Sequence, residues 1–300
     1  MKNTSTTNLA NLNILLDLWE ESLGKKNLRD LDKIAKKWLR HKYAAYRNEV
    51  FALANVMNRP GVFAFNMFPR IGCTTAVTEE GTMLRTLDFS QPGLGALIEK
   101  STVECDLGNY IELSWPGFSG VCTGIAPGRF AVTYNEAPFE NTWWKTHFKI
   151  PNTRAWPPMW LIRHVMEVCE NFNEARYMLC TEPLAVPAIF TLISEGGSGC
   201  IIERTEKGHH IHAAPAIAGN HWNNDKFEGL PNPSKETSEQ RVIALKRSLE
   251  EGKAENFSWC TTPVNRQGHT AFALEVNLQE NKMNLWNVET GAAPESIALT

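Results

Sequence analysis

The order of helical and strand-like segments restricts the fold of this chain more than any other feature of its sequence. Apolar residues recur at helical spacing in residues 9–60, with a break at Gly24. From residue 61 to residue 135 the sequence changes to short apolar runs separated by turn signals, which is typical of strands. The first of these runs, residues 61–68, is therefore predicted to be a strand.

The second half of the chain repeats this change from helical spacing to short strand-like runs. Residues 156–180 return to helical spacing, and a further helix is predicted over residues 238–251. Further strand-like runs are residues 188–193, 200–205, 209–214, 269–278 and 282–289. Helices and strands come in blocks instead of alternating, which favours an α+β fold, with an αββα layering, over a sheet built from βαβ units.

Composition excludes several classes of protein. The 300 residues suffice for one large domain or two small ones, and 43% apolar residues are enough for a full core. A net charge of −3 argues against a nucleic-acid-binding protein, which needs a basic excess to neutralise phosphates. The N-terminus lacks the pattern of a secretory signal, and no run reaches the ~18 apolar residues of a membrane span, so a cytoplasmic protein is expected.

Neither the cysteines nor the histidines form a pattern typical of metal sites. The seven cysteines are odd in number and include no C-x-x-C pair, which favours reduced, buried thiols. His209, His210 and His212 lie on one predicted strand, but no complete set of metal ligands accompanies them. We therefore expect a surface strand there, no metal and no cofactor.

One hairpin of the predicted strands brings reactive side chains together. Cys73 begins a strand, a turn at Glu80-Gly81 folds the next strand back, and Arg85 and Asp88 follow on that second strand. A thiol, a guanidinium and a carboxylate can thus converge at one end of the hairpin. The same three residues also suit a purely structural hairpin, and the local pattern leaves both interpretations open.

The wider sequence resembles a known family. Cys73-Thr-Thr, followed by Arg85-Thr-Leu-Asp88-Phe, is similar to the signature of the acid ceramidase and N-acylethanolamine acid amidase family, with the choloylglycine hydrolases as a wider relation. Further segments that resemble this family in the same order are residues 110–136, 160–205, 218–222 and 238–241. The resemblance extends over about residues 44–290, and it depends on the joint order of the motifs.

This resemblance implies an N-terminal-nucleophile hydrolase. The fold implied is a four-layer αββα sandwich of two antiparallel sheets, preceded by a helical pro-segment. The division implied is a helical N-terminal segment, residues 1–72, and a catalytic domain, residues 73–300. Cleavage between Gly72 and Cys73 makes Cys73 the nucleophile, and its α-amine, with a pKa of about 7.7–8.0, serves as its general base.

The resemblance also implies roles for the residues around Cys73. Asp88 holds the α-amine in place, and Arg85 favours the thiolate by its positive charge. Asn220 donates its side-chain amide to the oxyanion. Asn135 is a second donor or a positioning residue.

Two further polar residues complete the implied site. Glu136 assists self-cleavage or shapes the site, and Arg241 closes the polar network. Thr86 departs from the family pattern, which has asparagine after the motif arginine. Trp143 and Trp144 are candidate substrate-binding residues of an acyl-chain pocket, although ordinary aromatic packing explains the tryptophan cluster equally well.

The predicted function is hydrolysis of a linear amide bond in a small N-acyl substrate, through a thioester on Cys73. An acyltransferase that uses the same thioester and a non-catalytic lipid-binding protein that keeps the fold remain alternatives. A basic, amphipathic stretch over residues 25–47 suits weak contact with an anionic membrane, although a solvated helix face is favoured. Association into homo-oligomers stays open.

Overall fold

The computed structural model describes residues 7–40, 43–67, 72–89, 91–138, 155–227, 235–260 and 269–299. Four helices come first: α1 (Leu9–Leu23), α2 (Lys25–Leu39), α3 (Ala44–Met57) and α4 (Val62–Met67). The side chain of Asn8 caps the first turn of α1. Gly24, with a positive φ, separates α1 from α2, as its position between the two apolar repeats predicts.

The prediction of a strand over residues 61–68 is wrong, because α4 occupies this run. A short, continuous apolar run does not distinguish a buried strand from a buried helix. Distant side chains stabilise the helix: the Asp32 carboxylate accepts from the backbone nitrogens of Phe63 and Ala64 at 2.9 and 3.0 Å. These free amides at the start of α4 are thus capped from α2, which no local pattern reveals.

The first sheet has six antiparallel strands. They are β1 (Gly72–Val77), β2 (Met83–Phe89), β10 (Ala216–Ala218), β11 (His269–Asn277), β12 (Lys282–Asn287) and β13 (Glu295–Ala298). Their order across the sheet is β10-β1-β2-β11-β12-β13. The hairpin β1–β2 therefore lies inside the sheet, with β10 beside β1.

The second sheet has seven antiparallel strands in sequence order. They are β3 (Glu99–Val103), β4 (Tyr110–Ser114), β5 (Thr123–Ala126), β6 (Phe130–Glu136), β7 (Ala188–Ser194), β8 (Gly199–Arg204) and β9 (His209–Ala213). The short strands β5, β10 and β13 are not among the predicted ones. The two sheets face each other, and the hydroxyls of Thr75 and Thr191 meet across the interface at 2.9 Å.

Helices cover both outer faces of this sandwich. Helix α7 (Lys235–Glu250) packs on the first sheet, where Leu245 contacts a cluster with Ala76 and Leu84. Helices α5 (Pro158–Val168) and α6 (Phe172–Thr181) lie on the second sheet. The predicted α+β class and four-layer αββα order are confirmed.

The N-terminal helices share the core of the sandwich. Leu12 and Leu53 belong to the same buried cluster as Phe130 of β6. The buried Arg163 of α5 forms an ion pair with Glu49 of α3, with Nη2 2.9 Å from Oε1. The division at residues 72 and 73 stays a prediction.

Among the described residues, no helix combines the length and the apolar character that crossing a membrane requires. The basic side chains of α2 are exposed, while Leu28, Ala35 and Leu39 on its other side are buried in the protein. The apolar side of α2 is thus occupied, and contact of its basic side with a membrane surface stays a prediction.

Candidate active site

The hairpin β1–β2 distributes its reactive residues over two faces. Gly72 lies opposite Asp88, and Thr75 lies opposite Arg85. Side chains alternate along a strand, so Arg85 and Asp88, three residues apart, point to opposite faces. Cys73 and Arg85 face the second sheet, and Asp88 faces α7, which contributes Arg241.

The thiol of Cys73 meets the guanidinium of Arg85 between the two sheets. Arg85 Nη2 lies 3.5 Å from Cys73 Sγ and 3.4 Å from Cys122 Sγ. The guanidinium is held by the second sheet, because it donates to the carbonyls of Tyr134 at 2.6 Å and Cys122 at 2.9 Å, and to the Thr123 hydroxyl. The cation is therefore fixed beside two thiols.

In the intact chain this thiol is neutral and inaccessible. Cys73 has 0% exposure, and burial raises the pKa of its thiol to about 12, although the Arg85 guanidinium acts in the opposite direction. The Sγ atom lies 3.7 Å from the Tyr134 carbonyl, which accepts its proton. Attack on a separate substrate molecule from this state requires a change in the surroundings of the thiol.

Asn220 binds the backbone of Cys73 from the other side. Strand β10 pairs with β1 up to the register Thr75–Ala218, and the chain then turns. At this point Asn220 Oδ1 accepts from the Cys73 backbone nitrogen at 2.8 Å, and Nδ2 donates to the Glu136 carbonyl at 2.9 Å. The side chain of Asn220 thus replaces the missing ladder partner of Cys73. In the intact chain its amide nitrogen faces the Glu136 carbonyl.

A polar chain connects the Cys73 nitrogen to Asp88. Arg241 Nη2 donates to Asn220 Oδ1 at 2.7 Å, and Nη1 forms an ion pair with Asp88. Asp88 also accepts from the hydroxyls of Thr270 at 2.9 Å and Thr86 at 3.2 Å. Burial raises the pKa of the Asp88 carboxyl, and Arg241 and these hydroxyls lower it in part. Thr86 therefore supplies the hydrogen bond at the position where the family pattern has asparagine.

Asn135 and Glu136 act on the same turn through different atoms. The buried Asn135 Nδ2 donates to the Gly219 carbonyl at 3.0 Å and to Thr75 Oγ1 at 3.3 Å. Glu136 contributes its backbone carbonyl to Asn220. All seven predicted polar residues thus lie in one connected region at the Cys73 end of the hairpin. Their individual catalytic roles stay predictions.

The predicted substrate-binding residues Trp143 and Trp144 lie outside the described residues. Trp156 and Trp160, which follow these two in the sequence and complete the tryptophan cluster, are buried near the start of α3. Trp156 stacks on Tyr43 with ring centroids 3.4 Å apart, and Trp160 packs edge-on against Tyr46 at 5.6 Å. For these two, aromatic packing in the core is the observed role.

Sequence reasoning missed several partners of the site. Cys122 and Thr123 lie in the segment 110–136 that resembles the family but received no role, and Thr270 carried no motif. Their contacts with the site arise only when separate strands pair. Ser238 stands in the segment that contains Arg241 but received no role, although its hydroxyl accepts from the Asn220 backbone nitrogen at 2.6 Å. A serine one helical turn before a site arginine was the available signal.

The histidine strand β9 has one buried acidic partner. His212 Nε2 lies 2.8 Å from Glu203 Oε2, and Glu203 is fully buried. Glu203 also accepts from the backbone nitrogen of Asn223 at 2.5 Å. Within the described ranges, no group of three or more histidine, cysteine or acidic residues is arranged to hold a metal ion.

Solved structures share this architecture. The chain is similar to a Caenorhabditis elegans N-acylethanolamine-hydrolyzing acid amidase ortholog, with a TM-score of 0.50 and 20% identity, over 69% of this chain and 93% of that one. The chain has the fold of the N-terminal-nucleophile hydrolases. A variant of conjugated bile acid hydrolase from Clostridium perfringens also matches, with a TM-score of 0.50 and 10% identity, over 76% of this chain and 92% of that one.

Sequence relatives carry the names of the family that the motifs resemble. The chain is 28% identical to acid ceramidase from Heterocephalus glaber over 189 residues, covering 54% of this chain and 48% of the relative. It is 24% identical to N-acylethanolamine-hydrolyzing acid amidase from Cavia porcellus over 144 residues, covering 45% and 40%. The chain thus spans about half the length of these relatives or less. No family model matches the chain. The resemblance predicted from the motifs is confirmed, and these relatives are named as amide hydrolases.

Proposed function

We propose that this chain, which has the fold of the N-terminal-nucleophile hydrolases, is the precursor of an amidase whose nucleophile is Cys73. One observation carries the proposal: two dedicated side chains hold the two reacting atoms of Cys73. Asn220 Oδ1 binds its nitrogen at 2.8 Å, and Arg85 Nη2 lies 3.5 Å from its sulfur. A nucleophile that also supplies its own base needs both atoms in fixed positions.

The first proposed reaction is cleavage of the chain between Gly72 and Cys73. Cys73 Sγ attacks the Gly72 carbonyl carbon, a C–S bond forms as the C–N bond breaks, and the thiol proton passes to the Cys73 nitrogen. Water then hydrolyses the thioester and frees the thiol and the Gly72 carboxylate. The full burial of the Cys73 thiol supports this order of events, because a substrate cannot reach it in the intact chain.

Gly72 suits this position for a steric reason. A Cβ at residue 72 lies 2.8 Å from the Asp88 carbonyl oxygen, which is closer than real Cβ atoms approach a backbone. The pairing of Gly72 with Asp88 therefore depends on glycine. A scissile bond held in this ladder also keeps the carboxylate of Asp88 next to the new chain end, where it can stabilise the α-amine.

The second proposed reaction is hydrolysis of an N-acyl amide. The free α-amine, with an ordinary pKa of about 7.7–8.0, accepts the thiol proton while the sulfur attacks the acyl carbon. The same proton then passes to the leaving nitrogen, and water hydrolyses the acyl thioester. Asn220 Oδ1 is placed to accept a hydrogen bond from this amine and so to direct its lone pair.

The proposed oxyanion role of Asn220 falls to its amide nitrogen. In the intact chain Nδ2 donates to the Glu136 carbonyl at 2.9 Å. This nitrogen has two hydrogens, and in the proposed reaction it also donates to the acyl oxygen of the tetrahedral intermediate. We propose an apolar acyl group for the substrate, and the sequence relatives, named for ceramide and N-acylethanolamine hydrolysis, support this choice.

Intact-mass analysis of the full chain tests the proposal. The wild-type protein should yield fragments 1–72 and 73–300, and Cys73→Ala should stay whole. Incubation of the cleaved protein with ceramides and N-acylethanolamines should release the amine, and quenched samples should carry the acyl mass on fragment 73–300. Addition of a second amine measures acyl transfer against hydrolysis.

Cys200→Ala is the matched control, because Cys200 is also a buried cysteine but lies on β8. This variant should be cleaved and should hydrolyse amides like the wild type. A wild-type chain that stays whole and nevertheless hydrolyses amides contradicts the self-cleavage mechanism. A cleaved chain that binds lipid amides without turnover points to the non-catalytic alternative.

A further inference from the structure

The turn that carries Asn220 is fixed by a buried hydroxyl on α7. Ser238 has 0% exposure, and its Oγ accepts from the Asn220 backbone nitrogen at 2.6 Å. The same Oγ lies 2.8 Å from Nδ1 of the buried His221. One serine therefore joins the backbone of Asn220 to the ring of the next residue.

Helix α7 holds Asn220 at two points from a single face. Ser238 and Arg241 are three residues apart, so their side chains lie on the same side of the helix. Ser238 binds the backbone nitrogen of Asn220, and Arg241 Nη2 binds its Oδ1 at 2.7 Å. The position of the main chain and the direction of the side-chain amide are thus both set from α7.

Close approach of α7 to this turn depends on Gly219. A Cβ at residue 219 lies 2.2 Å from Ser238 Oγ, well inside the distance that real Cβ atoms allow. The serine hydroxyl would have to rotate away from such an atom, and this rotation would break its hydrogen bond with the Asn220 nitrogen. Glycine next to Asn220 therefore permits the hydrogen bond between Ser238 and the turn.

Counting donors and acceptors assigns a role to His221. Ser238 Oγ already accepts from Asn220, and its one hydroxyl proton has an acceptor in the unprotonated Nδ1 of His221. This assignment places the ring proton on Nε2, as an inference from the hydrogen bonds. The imidazole thereby directs the hydroxyl so that its lone pair faces the Asn220 nitrogen.

We propose that Ser238 and His221 are positioning residues for the reaction of Cys73. They act through Asn220, whose side-chain amide forms hydrogen bonds with the Cys73 nitrogen and the Glu136 carbonyl. They set the distance between Asn220 Oδ1 and the Cys73 nitrogen. This inference rests on the proposed function only for its effect on turnover. Its structural part concerns the hydrogen bond between Asn220 and the nitrogen of residue 73.

Hydrogen exchange tests the structural part without any activity. In the uncleaved Cys73→Ala chain, the amide of residue 73 donates to Asn220 Oδ1, and its exchange is measured by NMR. Adding Ser238→Ala should accelerate this exchange about tenfold, because a loosened turn no longer protects the amide. Ser114→Ala removes another buried serine hydroxyl, on the distant strand β4, and should leave this exchange unchanged.

Turnover of the cleaved enzyme tests the catalytic part. Ser238→Ala should lower kcat about 10- to 100-fold, with KM within about threefold, because misplacement of Asn220 affects the reacting atoms more than substrate affinity. His221→Asn, which keeps a polar atom near the position of Nδ1, should retain more of kcat than His221→Leu. Thermal unfolding of each variant identifies those that fail to fold, and Ser114→Ala should keep wild-type kinetics.

Each result decides the proposal. Unchanged exchange of the residue 73 amide in Ser238→Ala overturns it, whatever the activity. Faster exchange with unchanged kcat overturns the link to catalysis, as does equal activity of His221→Asn and His221→Leu. A wild-type chain without cleavage or hydrolysis overturns the proposed function, while the exchange measurement still decides whether Ser238 positions Asn220.

Discussion

The two faces of the β1–β2 hairpin differ in how their charged side chains are paired. The inner face is the one toward the second sheet, and the outer face is the one toward α7. On the inner face, Arg85 is fully buried and its partners are carbonyls, a hydroxyl and two thiols. On the outer face, Asp88 and Arg241 form an ion pair next to two threonine hydroxyls. The cation beside the thiol is thus kept apart from the carboxylate three residues later.

This separation has an electrostatic consequence. A carboxylate on the inner face would pair with Arg85 and cancel much of its attraction for a thiolate. Because Arg85 and Asp88 alternate across the sheet, the guanidinium keeps its effect on Cys73, and the carboxylate orders Arg241 and, through it, Asn220. The inner face should therefore govern the chemistry, and the outer face should govern stability and position.

The largest expected effect comes from removal of the inner cation. Arg85→Met should slow amide hydrolysis by the cleaved protein about 10²- to 10³-fold, because the charge next to the reacting sulfur is lost. Arg85→Lys should lose less, since it keeps the charge without the planar fork. Steady-state kinetics and circular dichroism of the folded variants check this.

Arg129→Met is the matched control for Arg85. Arg129 also donates to backbone carbonyls, those of Met166 and Cys169, but it lines a groove near the β1–β2 turn, at the end of β1 away from Cys73. Its loss should leave turnover per folded molecule near the wild-type value. If Arg85→Met hydrolyses amides at the wild-type rate, the inner face does not govern the chemistry.

The second effect concerns the outer ion pair. In the uncleaved Cys73→Ala chain, Asp88→Asn should lower the free energy of unfolding by about 3 kcal/mol, because Arg241 is left as a largely buried charge without its partner. Denaturant titration measures this loss. Glu251→Gln is the control. It breaks an exposed ion pair with Arg247, which lies on α7 as Arg241 does, and it should change the free energy of unfolding little. Equal losses in the two variants would contradict the distinction between a buried and a surface pair.

The smallest expected effect tests whether water is excluded from the inner face around Cys122. Burial raises the pKa of the Cys122 thiol, so the folded chain keeps this proton to higher pH than the unfolded chain. The contribution to stability is therefore full below the ordinary thiol pKa of about 8.5 and is lost as the pH rises. Between about pH 7 and pH 9.5 this loss has an upper limit of about 1.4 kcal/mol, which is the value for a thiol that titrates only in the unfolded chain.

Denaturant titrations at the two pH values measure this loss. In the Cys73→Ala background, the stability difference between Cys122 and Cys122→Ala should change by up to that amount over this range. Cys122→Ser, which has no titrating thiol, should follow Cys122→Ala. A difference that does not depend on pH would show that water or a counter-charge reaches the inner face.

Local sequence was sufficient for the reactive hairpin. The turn at Glu80-Gly81 and the strand pairing bring Cys73 near Arg85 and Asp88, as predicted. The expected convergence of all three groups did not take into account that the odd spacing of Arg85 and Asp88 places their side chains on opposite faces. The order of blocks also predicted the layered α+β class. These features depend on neighbours in the chain or on the sequence of elements, and both can be read without coordinates.

Packing between distant segments decided the rest. Cys73 and Asn220 are 147 positions apart, and which end of the Asn220 amide meets the Cys73 nitrogen follows from the contacts of Ser238 and Arg241 on α7. The helix α4 likewise forms where the sequence predicts a strand, because Asp32 caps it from another helix. Such partners are determined by burial and hydrogen bonding between elements. The local sequence pattern does not show which elements will be in contact.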